Sequence, residues 1–589
     1  MPAQADSAPA NDLAHDSDIA AGPARLTPAG LPPELIAELE RLRTSSPLDR
    51  STTAIYVVDA NTGEPLFAVN QDEPLNPASN VKLISTATAL DQLGPDWRYV
   101  TRLLGPIPND AGVVPGDLYL AGNADPTLDT DDLEELAAAL AARGVSHVAG
   151  DLVVGPGALR DSLGLPRLHI HVRGTRPGRA PEVTVEPSGE DDNGAALVEV
   201  EVKAETIRRR RGPRLQATVT LVDDPIPHYR VELSGTISAR RSKHLRRRIP
   251  APQLFTARLL GAALARAGIT VAGTVRRAEL LDHVVDNALA GAVPIELARH
   301  ESRPLSDIIA RINKRSLNRL ADRVLMTAGT ARYGGAPTMS KGVRAMHEWL
   351  RGRAGVDPEA LFLDTGSGLS YRTQLTARQI VSVVQAAAGL AHAPPDADPA
   401  VFARAARRPR KGRTDAPGPV LSERRADDDP DELTARRFGP EAGDGPSAGG
   451  DDGRDDDSGE DDDHGDDDPA LSDPAQEDAT RSPSDDVGLA RGADDAEAEA
   501  FMASLAVGGV DGTLRGRLRD LRGQVFAKTG TLTEVIALSG IVTAGDEALA
   551  FAIVSNGHRH RRRRQVRRQH DAIVKALHRY LNARAAADE

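Results

Sequence analysis

Three short stretches of the sequence place serine and lysine side chains at spacings that suit nucleophilic catalysis. In "NPASNVKL", Ser79 precedes Lys82 by three residues at the start of an alanine-rich apolar run. "KRSLN" contains Ser316 and Asn318, and "FAKTGTL" contains Lys528. Because residues i and i+3 lie on one face of a helix, we predict a hydrogen bond between the first serine and lysine.

The predicted chemistry follows from what a serine hydroxyl lacks. Near neutral pH it is a weak nucleophile and needs a neighbouring group that accepts its proton. A lysine can do so only if burial or a nearby cation lowers its pKa, and Lys528 is the candidate for that cation. The helix start would add N–H donors for a developing oxyanion near Ser79. Alone, S-x-x-K is more often a helix cap, but the order S-x-x-K, S-x-N, K-T-G indicates a serine enzyme.

The elements around these motifs predict an α+β fold. "TAIYVVD" and "PLFAV" enclose an Asn-Thr-Gly turn and indicate a hairpin, and the Ser79 helix should end at Gly94 and Pro95. A periodic helix precedes Ser316. Three strand-like runs, "QVFAKTGTL", "VIALSGIVTA" and "EALAFAIVSN", and the helix "DAIVKALHRYLNA" end the chain. We therefore predict one antiparallel sheet, built from both ends of the chain and flanked by helices.

Changes in composition along the chain predict its domain organisation. Short strands and turns dominate between the first and second motifs, which indicates one or two β-rich insert domains. A later segment rich in Asp, Pro, Gly, Arg and Ser has too few large apolar residues to form a core. The predicted boundaries are a disordered leader at 1–44, the catalytic domain at 45–100, 291–394 and 498–589, the insert at 101–290 and an acidic disordered insertion at 395–497.

Overall composition excludes several classes of protein. The chain has no cysteine, which excludes disulfides and thiol chemistry, and no apolar run is long enough to span a bilayer. The formal net charge of -14 arises mostly from "DDGRDDDSGEDDDHGDDD" at 451–468; the remainder has 74 acidic and 71 basic residues. The first 30 residues lack the basic and apolar regions of a signal peptide, although the activity inferred below requires export.

The chain resembles the class C low-molecular-weight penicillin-binding proteins, which are D-alanyl-D-alanine carboxypeptidases and endopeptidases of peptidoglycan metabolism. Besides the three motifs, the resemblance rests on "LAGNADPTL", "GDLVV", "AGITVAGTVRR", "GSGLS" and "VGGVDGTL". It covers most of residues 51–581 except the acidic insertion. The long interval between Ser79 and Ser316 is typical of this family, which carries β-rich domains there. The implied fold is that of the serine β-lactamases and DD-peptidases.

The resemblance also implies a role for each motif residue. Ser79 would be the acylated nucleophile and Lys82 its general base, while Ser316 would relay a proton to the leaving amine. Asn318 would bind the substrate backbone. The K-T-G motif would bind the terminal carboxylate of a stem peptide or of penicillin, through Lys528 and Thr529. The oxyanion hole would consist of the N–H groups of Ser79 and Thr531, and Gly530 would allow the substrate and the helix to approach. No cofactor or metal is expected.

Several alternatives remain open at this stage. Within the same fold the rivals are a β-lactamase or a serine esterase, and outside it a catalytically silent cell-wall-binding protein. The basic run "HRHRRRRQVRRQH" at 558–570 is either a solvated helix face or a contact for an anionic polymer, with no nucleic acid expected because no aromatic residues interleave. The acidic tract is expected to be solvated rather than to bind calcium, since its spacing is not that of an EF-hand. The predicted location is the cell envelope.

Overall fold

The structure is a computed structural model of the 589-residue chain. It describes residues 31–45, 48, 51–122, 125–154, 167–187, 196–208, 213–222, 228–277, 294–390 and 495–588.

Within these residues the chain forms ten α-helices. They are α1 (Pro33–Arg43), α2 (Val81–Leu93), α3 (Thr130–Ala142), α4 (Pro252–Arg266), α5 (Leu305–Arg315), α6 (Asn318–Tyr333), α7 (Met339–Gly352), α8 (Ala377–Ala387), α9 (Asp495–Ser504) and α10 (Arg563–Asp588).

The strands of the described residues fall into two groups. Six belong to the catalytic domain: β1 (Thr52–Asp59), β2 (Pro65–Val69), β18 (Ala506–Val507), β19 (Val525–Leu532), β20 (Val535–Ala544) and β21 (Glu547–Asn556). The others lie between the first and second motifs: β3 (Val100–Gly105), β4 (Val113–Val114), β5 (Leu118–Gly122), β6 (His147–Val148), β7 (Leu152–Val154), β8 (Arg167–Arg173), β9 (Glu182–Glu186), β10 (Val198–Val202), β11 (Glu205–Ile207), β12 (Arg214–Val222), β13 (His228–Ser238), β14 (Ser242–Arg248), β15 (Thr270–Val271), β16 (Val275–Arg277) and β17 (Ile295–Glu301).

The catalytic domain is built on one antiparallel sheet with the strand order β18-β19-β20-β21-β1-β2. The hairpin β1–β2 and the strands β19, β20 and β21 are those predicted from the sequence, and β18 adds a two-residue edge. β1 pairs with β21 over its full length, so the two ends of the chain close one sheet. The prediction of an α+β fold with an antiparallel sheet flanked by helices is confirmed.

The helices cover both faces of this sheet. On one face, α10 packs against β20 and β21, and α1 packs on α10. On the other face lie α2 and the helices α5 to α9, around a core that includes Leu83, Ile309 and Trp349. Because β20 and β21 have apolar partners on both faces, almost every residue of these two strands is buried.

Helix α1 corrects the prediction of a disordered leader over residues 1–44. Residues 33–43 are helical, with Pro33 in the first turn and Leu35 and Leu39 buried, the latter with 0% exposure. These two leucines lie one turn apart and pack in the same apolar cluster as Leu577 of α10. Residues 1–30 lie outside the described part of the chain.

The insert has its own hydrophobic core and contains helices as well as strands. Its largest sheet has the order β16-β7-β5-β3-β17, and α3 and α4 contact each other beside it. Phe255 of α4 and Tyr229 of β13 are both fully buried there, with ring centroids 5.0 Å apart. Because β17 pairs with β3, the sheet extends to Glu301, beyond the boundary predicted at 290.

Residues 391–494, which include almost all of the predicted acidic insertion, lie outside the described part of the chain. Among the helices that the structure describes, none combines the length and the apolar character needed to cross a bilayer.

Candidate active site

Ser79 lies in a 3-10 turn, Ala78–Asn80, that leads directly into α2 at Val81. Ala78 adopts a left-handed backbone conformation with φ 48°, which is unusual for a residue with a side chain. The N–H of Ala78 donates to Asn76 Oδ1 at 2.8 Å, and the Asn80 amide donates to Ser539 Oγ of β20 at 3.0 Å. These bonds fix the serine between the helix and the sheet.

Lys82 is fully buried at the base of the site, and its Nζ contacts three oxygen atoms. They are Ser79 Oγ at 3.0 Å, Asn318 Oδ1 at 2.6 Å and the backbone carbonyl of Ser367 at 2.7 Å. The predicted bond between the S-x-x-K side chains is therefore present. The same amine also joins the first motif to the second.

Ser316 and Asn318 are brought to the site by the junction between α5 and α6. Ser316 ends α5 in a left-handed conformation with φ 60° and ψ 41°, and Asn318 is the first residue of α6. Helix α5 is held in place by Asn313, whose buried amide donates to Thr86 of α2 at 3.0 Å and to Ser504 of α9 at 2.8 Å. The sharp reversal at Ser316 directs the serine and the asparagine into one cleft.

The K-T-G motif lies on β19 beside the Ser79 turn. Lys528 is fully buried, and its Nζ donates to Ser316 Oγ at 2.9 Å and to the Thr529 carbonyl at 2.8 Å. A Cβ on Gly530 would lie 2.6 Å from the carbonyl oxygen of Pro77, so only glycine lets the strand pass this close to the turn. The bond from Lys528 to Ser316 joins the third motif to the second, just as the bond from Lys82 to Asn318 joins the first motif to the second.

The two threonines of "KTGT" are partly exposed at the edge of the cleft and have different partners. Thr529 Oγ1 donates to Thr513 Oγ1 at 2.8 Å, and Thr531 Oγ1 accepts from the Arg567 guanidinium of α10 at 3.2 Å. Just beyond β19, the exposed Tyr371 hydroxyl lies 3.0 Å from Thr533 Oγ1. The partly exposed hydroxyl groups of Thr529 and Thr531 therefore connect β19 to Thr513 and to α10, respectively.

The two buried lysines affect each other electrostatically. Burial, and secondarily the neighbouring Lys82, lowers the pKa of Lys528 well below its usual value. From the sequence, Lys528 was the candidate cation that would lower the pKa of Lys82. In the structure, the pKa of Lys528 is itself lowered.

Asp322, which was not singled out from the sequence, and the Gly366–Gly368 segment, which is part of "GSGLS", also belong to the site. Asp322 lies one turn after Asn318 on α6, and burial raises the pKa of its carboxyl, partly offset by hydrogen bonds from Ser367 and by Lys82. A Cβ on Gly368 would lie 2.1 Å from the Ala78 carbonyl oxygen, so this segment rests directly on the Ser79 turn. The i+4 spacing from Asn318 was the available signal for Asp322.

A group of side chains close enough to share a cation lies away from this site, in the insert. It consists of Asp132 and Glu135 of α3 with His300 of β17. The imidazole is already flanked by both carboxylates, 3.4 Å from Asp132 and 3.2 Å from Glu135.

The basic run at 558–570 comprises most of the connection between β21 and α10, and the first turns of α10. His558, Val566 and His570 are buried, whereas Arg559 and Arg561 are exposed. The run therefore combines buried residues with exposed arginines.

Comparisons with known proteins agree on one family. The family model described as D-Ala-D-Ala carboxypeptidase 3 (S13) matches residues 35–163, 180–395 and 488–577. A D-alanyl-D-alanine carboxypeptidase of Actinomadura sp. (strain R39) is 27% identical over 561 residues, covering 89% of this chain and 81% of that protein.

Solved structures show the same fold. Penicillin binding protein 4 of Haemophilus influenzae is 18% identical, with a TM-score of 0.57 and coverage of 89% of this chain and 93% of that one. Its complex with a β-lactam gives a TM-score of 0.56 at the same identity and coverage.

Proposed function

From the premise that this chain belongs to the D-Ala-D-Ala carboxypeptidase 3 (S13) family, and is a serine carboxypeptidase, we propose that it cleaves peptidoglycan stem peptides ending in D-Ala-D-Ala through an acyl-enzyme at Ser79. The observation that carries the proposal is the 3.0 Å contact between Ser79 Oγ and Lys82 Nζ. Endopeptidase cleavage of cross-links would use the same acyl-enzyme. The cell envelope is the expected location, because this substrate occurs there.

The partners of Lys82 support its role as the general base. The Asn318 amide oxygen and the Ser367 carbonyl can only accept hydrogen bonds, whereas the Ser79 hydroxyl can also donate. A neutral amine has two N–H donors and one lone pair. If the two N–H groups bond to the amide and carbonyl oxygens, the lone pair is left for the Ser79 proton.

Acylation then proceeds by attack of Ser79, proton transfer and release of the terminal D-Ala. Ser79 Oγ attacks the carbonyl carbon of the penultimate D-Ala as its proton moves to Lys82, and the N–H groups of Ser79 and Thr531 stabilise the oxyanion. The bond to the terminal D-Ala breaks when its nitrogen takes the proton of Ser316 Oγ, which is replaced by a proton from Lys528 Nζ. The 2.9 Å contact between Lys528 Nζ and Ser316 Oγ supports this relay. Water then attacks the ester carbonyl and passes its proton through Ser316 to Lys528, while Lys82 returns its proton to Ser79 Oγ as the ester bond breaks.

The same steps account for covalent binding of penicillin. The β-lactam carbonyl would take the place of the peptide carbonyl, and the opened ring would remain attached to Ser79. Because the leaving nitrogen stays tethered to the acyl group, it would hinder the approach of water, so the adduct would persist. Thr529 and Asn318 would contact the carboxylate and the amide of either ligand.

Ser79→Ala tests the proposal directly. We expect loss of fluorescent penicillin labelling and a fall of at least about 1000-fold in D-Ala release, since the nucleophile is absent. Ser340→Ala, which alters an exposed serine of α7, serves as the control and should retain both activities. Labelling that maps by mass spectrometry to another serine would contradict the mechanism.

A further inference from the structure

Lys528 is poorly suited to be the main cation for a substrate carboxylate. Its side chain has 0% exposure and is already bonded to Ser316 Oγ and to the Thr529 carbonyl. Burial, and secondarily the neighbouring Lys82, also lower its pKa well below the usual value. A substrate that ends in a carboxylate therefore requires another source of positive charge at the cleft.

Arg567 satisfies that requirement by its position and chemistry. Its guanidinium donates to Thr531 Oγ1 at 3.2 Å, and Thr531 is two residues from Thr529 on the same strand. Both Arg567 and Thr531 are partly exposed, in contrast to Lys528. A guanidinium stays charged throughout the physiological pH range and presents several N–H donors in a plane that matches a carboxylate.

We propose that Arg567 is a specificity-determining residue that, with the Thr531 hydroxyl, binds the C-terminal carboxylate of the substrate. This inference rests on the proposed function. It assigns the fixed charge to α10, outside the three sequence motifs, and leaves Lys528 to donate to Ser316. The enzyme would then prefer a free C-terminus over a neutral one, because only a free carboxylate forms an ion pair with the guanidinium.

Two peptides and three variants test the proposal. A stem-peptide mimic ending in D-Ala-D-Ala is compared with the same peptide carrying a C-terminal amide. In Arg567→Gln we expect kcat/KM for the free acid to fall about 10- to 100-fold, mainly through KM, while kcat/KM for the amide changes less than about 2-fold. Arg567→Lys, which retains charge without the planar donors, should be intermediate.

The matched control is Arg568→Gln, which removes the same charge from an exposed neighbour on α10. It should leave the preference for the free acid unchanged, which separates a local contact from a general charge effect. An active wild type whose preference survives intact in Arg567→Gln would overturn this inference alone. A wild type that cleaves neither peptide and takes up no penicillin would overturn the proposed function and this inference with it.

Discussion

Single buried side chains make the stability of this enzyme depend on pH, and His570 is the clearest example. It is fully buried on α10, with Nε2 2.9 Å from Ser555 Oγ of β21. Burial first, and then the charges of Arg517 and His558, lower the pKa of His570 to about 3. The folded protein therefore keeps this imidazole neutral where an unfolded chain, with a pKa near 6.5, would protonate it.

The sign of the effect follows from this difference. Stability is fully present above about pH 6.5 and decreases as pH falls toward 3, because only the unfolded state gains the proton. At pH 5 the loss from His570 should be about 2 kcal/mol. We expect His570→Gln to lose that much less free energy of unfolding than wild type between pH 7.5 and pH 5, as measured by urea denaturation. The exposed His560→Gln should behave like wild type, and equal slopes in all three proteins would refute the assignment.

At the residue scale the sequence predicted which side chains would meet, but not all of their neighbours. The spacing of Ser79 and Lys82 within one turn required no knowledge of tertiary structure. Asp322 and Arg567 were different, because Asp322 offered only its i+4 spacing from Asn318, and Arg567 becomes relevant only through its contact with Thr531 of β19. Arg567 looked like one arginine among many in a basic run, and only the packing of α10 against the sheet distinguishes it.

Among the secondary-structure elements, the contact between β19 and the Ser79 turn determines the geometry of the cleft. Gly530 has no room for a methyl group, since a Cβ would lie 2.6 Å from the Pro77 carbonyl and 3.2 Å from the Ala78 Cβ. We expect Gly530→Ala to separate strand and turn and to lower the rate of penicillin acylation by about 100-fold, the scale expected for a 1 Å misplacement. The rate is measured by stopped-flow or quenched labelling.

Gly516→Ala is the matched control for that substitution, because no other group lies within 4 Å of the position that its methyl group would occupy, and its φ is unexceptional. It should acylate like wild type. A normal rate in Gly530→Ala would mean that the strand and the turn can separate without disturbing Ser79. If circular dichroism shows that Gly530→Ala does not fold, the slower acylation would result from lost stability and not from a displaced Ser79.

The elements of the catalytic sheet were predictable because their apolar residues are continuous and their turns contain glycine or asparagine. Helix α1 was not predicted, although "PELIAELERLR" contains strong helix formers. A helix of 11 residues is marginal alone in water, and its stability depends on a partner surface. That surface is α10, about 530 residues later in the chain, which no local pattern reveals.

At the scale of the whole molecule, two interruptions divide the catalytic domain and must leave its core intact. The insert does so with a separate hydrophobic core, and its strands β3 and β17 pair at the point where the chain leaves and returns. Because of this pairing, the insert ends at Glu301 and not at the predicted residue 290. Composition alone could not locate it, because the pairing joins residues almost 200 positions apart.

The second interruption leaves the domain after α8 and returns at α9, and these two points are adjacent. A Cβ on Gly389 would lie 3.3 Å from the Ala498 Cβ, and both Leu390 and Phe501 are buried. The composition of residues 391–494 predicts a connection without a core of its own, so shortening it should cost the fold nothing. Reducing a loop of 104 residues to eight should favour the folded state by roughly 2 kcal/mol through loop closure alone.

We therefore expect that a variant lacking residues 395–490 folds and reacts with penicillin at the wild-type rate within about 2-fold. The eight residues left between Leu390 and Asp495 can span roughly 26 Å when extended, far more than the gap requires. Unfolding in urea measures stability, and the stoichiometry of penicillin labelling measures the intact site. A variant that keeps all 104 residues but with their order scrambled should match wild type in both measurements. Aggregation or loss of labelling on excision would show that the segment contributes contacts to the catalytic core, whereas a gain in stability near the loop-closure value would identify it as a tether.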